Sequence, residues 1–372
     1  MARREPPFGK SWRGALTGIA QSTRAYEDWL RAQLADAFAP TDLDRKHARM
    51  RDGAFSFLRA TYWRWSEIVF EVCPELANAP AVLAVGDTHL ENFGTWRDVD
   101  GRLVWGINDY DEAAEMPFVL DIVRLATSAL LARGRRDIAG REICGQLLDG
   151  YRDGLAAPEP LVLDRDFKWL RKLVVVPEKK RAEFWKDIGK LKRYPDPPPR
   201  FAAAARQAFP EPPQDLVMLR RIAGSGSLGR LRLVGIVHWR GAPLLREVKA
   251  ITPSAWLRPP GRAGAAAIRC AEIATGSFRA PDPWFALHGD VVVRRLSPNN
   301  HKIEAADSLV PLTGADMLWA MGRDLAGVHA GSGGAARDAL ITYLKDRGRS
   351  WLLDAAEKMA AAVRAEHLAF KG

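Results

Sequence analysis

Cysteine is scarce in this chain. Its three copies, Cys73, Cys144 and Cys270, are scattered, odd in number and without a CxxC pair. That argues against a disulfide framework and a cysteine zinc site, and fits a reducing cytosol. Histidine is sparse too, at seven residues, which leaves little for a histidine-rich metal centre. No run approaches the roughly 18 apolar residues of a membrane span. No apolar stretch follows the opening Met-Ala-Arg-Arg-Glu-Pro-Pro, so the expectation is a soluble cytoplasmic protein without a secretory leader. Also missing is a compact basic stripe interleaved with aromatics, so neither nucleic acid nor membrane is an expected partner.

What is present is the make-up of an ordinary globular protein, with 47% hydrophobic and 27% charged residues among 372. That length allows roughly two domains, and 13 tryptophans enlarge the core. The net charge of +10 raises the odds of an anionic partner without choosing among nucleotide, nucleic acid and acidic substrate.

Periodicity divides the chain. Residues 1–80 read as a helical N-terminal region, helical from about residue 10. Residues 81–193 read as a largely helical unit that opens on a buried strand, Ala81 to Val85, and a hairpin around Asp98-Val99-Asp100-Gly101. A helix follows from about Pro117 to Arg133, with Val119, Ile122, Val123, Ala126 and Leu130 on one face. Seven prolines between Tyr194 and Pro213 mark residues 194–213 as a linker. Residues 214–305 are strand-rich, with runs at Leu216 to Ile222, Leu231 to Trp239 and Leu244 to Ala250, then a helix from Ala265 to Ala274. Residues 306–372 return to helices, Gly314 to His329 and Arg337 onward.

Gly224-Ser225-Gly226-Ser227-Leu228-Gly229 matches GxGxxG. A dinucleotide fold needs a helix directly after such glycines. Here Arg230 to Val237 reads as a strand, which is the setting of a kinase loop whose backbone amides cover phosphates. The third strand ends Glu247-Val248-Lys249 and puts Lys249 where a kinase lysine meets the α and β phosphates. Glu272 is the acidic partner available on the next helix. The plain alternatives are a hairpin turn, a solvent-facing strand lysine and a solvated helix glutamate.

Upstream, Asp87-Thr88-His89-Leu90-Glu91-Asn92 follows a strand with D-x-x-x-x-N spacing, that of a kinase catalytic loop. There the aspartate takes the proton of the acceptor hydroxyl and the asparagine holds magnesium. Asp109, after the hairpin, stands where a second metal-binding aspartate belongs; one carboxylate and one amide oxygen suit magnesium. Turn and helix caps would explain the same residues structurally. His89 is read as a hydrogen-bonding member of the loop and not as a metal ligand.

Val85 to Asn92 resembles the HGDLHPGN loop of aminoglycoside phosphotransferases, and Ile107-Asn108-Asp109-Tyr110-Asp111-Glu112-Ala113 resembles their IDFxDA segment. Over most of its length the chain resembles a bacterial family known as domain of unknown function 2252. The likeness is carried by Lys46, Met50, Phe55 to Arg59, Gly86 to Gly94, Asn108 to Glu112, Asp121 to Ala126, Gly224 to Gly229 and Glu247 to Lys249. It implies a kinase-like fold and leaves the substrate open. Lys46 and Arg59 are assigned to the acceptor side and Asp111 to the surroundings of the site. Two departures stand out: Val85 replaces the histidine of the antibiotic kinases, and Ala60 follows Arg59 where glycine is expected.

Glycine loop and lysine come after the catalytic loop, the reverse of a kinase. A cut before that loop reconciles the order, because the segment with Leu325-Ala326-Gly327-Val328-His329-Ala330 resembles the helix that normally leads into it. Asp121 then braces the catalytic-loop backbone. The expectation is an α+β, two-lobed, circularly permuted kinase-like fold with an N-terminal helical extension. Its expected ligands are ATP, magnesium and an acceptor that could be anionic. Nucleotidyl transfer, a metal-dependent phosphoesterase and a non-catalytic nucleotide-binding module stay open.

Overall fold

The computed structural model describes residues 17–133, 139–262, 266–305 and 309–372. Residues 10–16 of the expected helical region and the start of the expected helix at Ala265 lie outside these.

Four helices come first, α1 (Ile19–Leu34), α2 (Leu43–Arg51), α3 (Ala54–Ala60) and α4 (Tyr62–Val72). On α1 the buried positions Ile19, Tyr26, Leu30 and Leu34 recur at helical spacing, and Tyr26 stacks on Trp63 of α4. Strand β1 (Ala81–Ala84) leads to the hairpin β2 (Phe93–Arg97) and β3 (Leu103–Ile107). Gly101 closes that hairpin with φ +77°, a conformation glycine adopts without penalty. Strand β4 (Ala114–Pro117) pairs antiparallel with β1.

Helix α5 (Val119–Ala132) is buried on all sides from Val119 to Leu130 and forms the centre of the helical part. Beyond it lie α6 (Gly140–Ala156), a short β5 (Leu161–Val162) beside β3, α7 (Lys168–Val174) and α8 (Glu178–Gly189). The proline-rich stretch is not an open linker. It holds α9 (Pro199–Gln207), which buries Phe201, Ala204 and Ala205 against the sheet that follows. Proline at the first helical position loses no hydrogen bond, so Pro199 starts this helix rather than breaking it.

That sheet comprises β6 (Val217–Arg220), β7 (Arg232–Trp239), β8 (Ala242–Ala250), β9 (Ala286–His288) and β10 (Val291–Leu296), all antiparallel in the order β6-β7-β8-β10-β9. The connection from β8 to β9 carries α10 (Cys270–Ala274). Alternation gives the sheet two faces. Leu233 and Val248 join the main core, whereas Val234 and Leu245 pack with Ile188 and Phe184 of α8. Helices α11 (Leu309–Leu312), α12 (Ala315–Ala330), α13 (Gly334–Lys345) and α14 (Trp351–Lys371) complete the chain. Helices α6 and α12 touch backbone to backbone, since Gly150 faces the Trp319 carbonyl and Gly322 the Leu147 carbonyl with no room for a Cβ. The fold is mixed α+β. Among the described residues no helix is long and apolar enough to cross a membrane.

Candidate functional site

The loop after β1 is held from below by α5. The Asp121 carboxylate accepts from Val85 N at 2.7 Å and Gly86 N at 2.8 Å, and its other neighbour is His329 Nε2 at 3.0 Å. Thr88 Oγ1 donates to the Asp121 carbonyl, and Ser128 Oγ accepts from Leu90 N. A buried carboxylate with three such partners fixes the loop leading into Asp87.

One turn along α5, Arg124 reaches Asp87 Oδ1 through Nε at 3.0 Å and Nη2 at 2.5 Å. Its guanidinium is fully buried, packs on Tyr62 and Trp65, and also donates to the Leu58 carbonyl. Burial raises the Asp87 pKa and Arg124 opposes the rise, with burial prevailing. A carboxylate lifted in this way is a better proton acceptor that still stays in register through its ion pair.

Asn92 ties the two loops together, its Nδ2 donating to the carbonyls of Asp87 and Asp109 at 3.1 Å each. Its Oδ1 is buried and has no hydrogen-bond partner among the described residues. Burial works against ionised Asp109, but Lys249, Lys302 and Arg294 outweigh it and hold that carboxylate well below the ordinary range. Among the described residues no three His, Cys, Asp or Glu side chains gather into a metal site. A cation here would rest on Asp109, Asn92 Oδ1 and oxygens of a ligand, a hard, partly open set that suits magnesium.

The glycine loop joins β6 to β7, with φ +81° at Gly224 and +97° at Gly229. A Cβ at Gly226 would lie 3.2 Å from the Arg59 carbonyl and 3.3 Å from Asp87 Oδ2, so the loop tip sits directly over Asp87. Ser227 Oγ accepts from Arg232. Gly224, Ser225, Gly226 and Ser227 share one cavity of about 210 Å³ with Asp87, His89, Asn92, Asp109 and Asp111. Lys249 Nζ lies 3.6 Å from Asp109 and 2.5 Å from Asp111.

Glu272 is not brought to this site. It pairs with Arg269 at 2.7 Å, and its side chain is half exposed. Helix α10 has only five residues. The carboxylates of Asp109 and Asp111, both in the turn after β3, already surround the lysine, which leaves Glu272 to a neighbour on its own segment. Lys46 is also placed differently from the acceptor wall expected for it. It is fully buried, lies under the rings of Tyr26 and Trp63, and donates to the Gly226 carbonyl at 3.1 Å. Burial, helped by Arg230, pushes its amine down to about 7. Arg59 does line the cavity and pairs with Glu91. His89 accepts from Glu91 N, and burial with Arg59 and Arg124 nearby keeps its imidazole well below the usual range and hence neutral.

Two residues of the site, Arg124 and Glu247, were not anticipated. Arg124 stands inside the Asp121 to Ala126 segment, which periodicity explained as packing. Glu247, almost wholly buried, gathers Arg221, Arg232 and Arg294 at 2.5–3.0 Å. The signal for this group was present, since Glu247 and Lys249 stand two apart on one face of the strand. Lys302, whose amine burial and the neighbouring cations Arg294 and Lys249 push down to about 8 against the pull of Asp109, belongs to no regular element.

No curated protein and no solved structure was found to match this chain. A family model matches residues 39–168 and 213–372, which contain Lys46, Asp87, Asn92, Asp109, the glycine loop and Lys249. The chain belongs to the bacterial family described as "Uncharacterized protein conserved in bacteria (DUF2252)".

Proposed function

We propose that the protein is a magnesium- and ATP-dependent phosphotransferase built on a circularly permuted kinase-like frame. The observation that carries this reading is convergence. Residues 224–227 of the glycine loop and the Asp87, Asn92 and Asp109 segments, distant in sequence, line one small cavity, with Lys249 against Asp109. Local structure alone gives no reason for that meeting, whereas a shared phosphate site does.

In this reading, loop amides and Lys249 grip the phosphates. Asp109 and Asn92 Oδ1 would hold magnesium, which would supply positive charge to neutralise the phosphate oxygens. Asp87 takes the proton from the acceptor hydroxyl. The acceptor oxygen bonds to the γ-phosphorus, the bond to the β–γ bridging oxygen breaks, and ADP departs with that electron pair. Asp111 takes the place of the helix glutamate as the lysine's acidic partner. Support for the permuted order comes from α12, whose last turn supplies His329 to the Asp121 brace, while Ser332 Oγ just beyond accepts from Leu83 N on β1. The end of α12 thus lies at the strand that begins the catalytic loop, the place where one cut restores kinase order.

Incubation with γ- and α-labelled ATP, with and without magnesium, tests the reading, with water and a pool of small hydroxyl compounds as acceptors. Magnesium-dependent departure of the γ-label alone, leaving labelled ADP, is expected. Transfer of the α-label would instead assign nucleotidyl transfer, and failure to bind ATP would overturn the proposal.

A further inference from the structure

Resting on the phosphotransferase reading, we propose that Lys302 is a second phosphate-binding residue in addition to Lys249, lining the cavity and contacting the polyphosphate chain of the donor. The case begins with charge bookkeeping in the cavity wall. Of its cations, Arg59 is committed to Glu91, Arg230 to Glu112, and Arg221, Arg232 and Arg294 to Glu247. Lys302 alone makes no hydrogen bond or ion pair among the described residues, although Asp109 and Glu304 line the same cavity. An ammonium that is half-buried at the cavity wall and not taken up by a carboxylate there is open to an incoming anion, which it can hold in a charge-assisted contact.

Lys302 is also placed by design of the backbone. The segment around it is strapped to β2 by Thr95 N to the His301 carbonyl at 2.9 Å and His301 N to Thr95 Oγ1 at 2.8 Å. Beyond it, Ala305 N donates to Glu91 Oε1 in the catalytic loop. The lysine stem then crosses Gly94, where a Cβ would come within 2.8 Å of Lys302 Cγ, so glycine is what lets it pass. Its position is strategic, because a second cavity of about 470 Å³ adjoins the first, and the two share Arg221, Arg294, Lys302 and Glu304. Phe184, Phe285 and Trp96 line the larger space. A ligand with an apolar body in the larger cavity and a phosphate chain in the smaller must pass Lys302.

Calorimetry with magnesium-ATP and with inorganic tripolyphosphate, on wild type, Lys302→Met and Lys302→Arg, tests this. The methionine variant should bind both probes about tenfold to a hundredfold more weakly, the worth of a charge-assisted contact, and the arginine variant should recover most of the loss. Undiminished binding of both probes by Lys302→Met overturns the proposal and leaves the kinase reading standing. Lys302-dependent binding of tripolyphosphate without binding of ATP keeps this site and removes the ATP reading. Binding of neither probe by wild type removes both. Should the variants misfold, lysine acylation of wild type followed by peptide mass spectrometry decides the matter. Saturating tripolyphosphate should slow modification of Lys302 severalfold, and an unchanged rate overturns the assignment.

Discussion

Asp87 and Asp109 are both aspartates at one cavity, yet their surroundings push them in opposite directions. Arg124 grips Asp87, but burial dominates and raises its pKa. Lys249, Lys302 and Arg294 together overcome burial at Asp109 and keep it ionised. A proton acceptor and a cation holder need that division of labour. Asp87→Asn keeps an oxygen for Arg124 and should bind magnesium-ATP almost normally while turnover falls by roughly 10²–10⁴. Asp109→Ala should instead lose the magnesium dependence of binding. Calorimetry beside single-turnover kinetics measures both, and equal loss of binding in the two variants would show the roles to be misassigned.

Between elements, the N-terminal region grips the glycine loop at its tip and at its C-terminal end. Ala39 N donates to the Gly229 carbonyl and Leu231 N to the Ala37 carbonyl, while Lys46 of α2 holds the Gly226 carbonyl at the tip. The lysine does this at the expense of burial, which lowers its pKa from 10.5 to about 7. Between those two values the unfolded chain binds more protons than the native protein, so stability rises with pH across the window. Below about pH 7 the full penalty of a buried ammonium persists. The slope from this one group is at most about 1.4 kcal/mol per pH unit. Urea unfolding of wild type and Lys46→Met from pH 7 to 10 should show their difference in stability changing with pH in that sense. A constant difference would mean that Lys46 is not held as described. Loss of its hydrogen bond to Gly226 should also loosen the loop and slow turnover.

At the scale of the whole molecule, the cavity is assembled by the sheet with its glycine loop, the loops before β2 and after β3, and the N-terminal helices together. A ligand that touches all three should stabilise the entire fold and not one segment. At a hundredfold excess over its Kd, magnesium-ATP should add about 2.7 kcal/mol to the stability of a chain that binds it only when folded. Thermal melts should shift upward by a few degrees. Lys249→Ala should abolish most of that shift at the same nucleotide concentration. A melt of Lys249→Ala that responds to nucleotide as wild type does would count against the phosphate grip.

Much of the layout follows from short-range rules that a linear chain displays. Alternating apolar residues around Asp98 to Gly101 mark the β2–β3 hairpin, the strands on either side of Gly224 to Gly229 are legible from pattern, and the helical stripe from Val119 to Leu130 announces α5. The D-x-x-x-x-N spacing and the glycines are local as well, so candidate residues could be named without coordinates. Prolines misled at residues 194–213, because proline at a helix start and proline in a linker look alike until Phe201 is seen packed on the sheet. Ion-pair choice was beyond the sequence altogether. Whether Lys249 meets Glu272 or Asp111, whether Arg124 turns to Asp87, and which carboxylate collects three arginines depend on side chains brought within a few ångströms by packing. Coulomb energy falls with distance and is screened by water, so the nearest buried carboxylate wins over the one expected from chain order. Amino-acid order by itself determined most of the elements and named the candidate residues they carry. The tertiary structure alone decided which charged groups face one another, because only burial makes those pairings strong enough to matter.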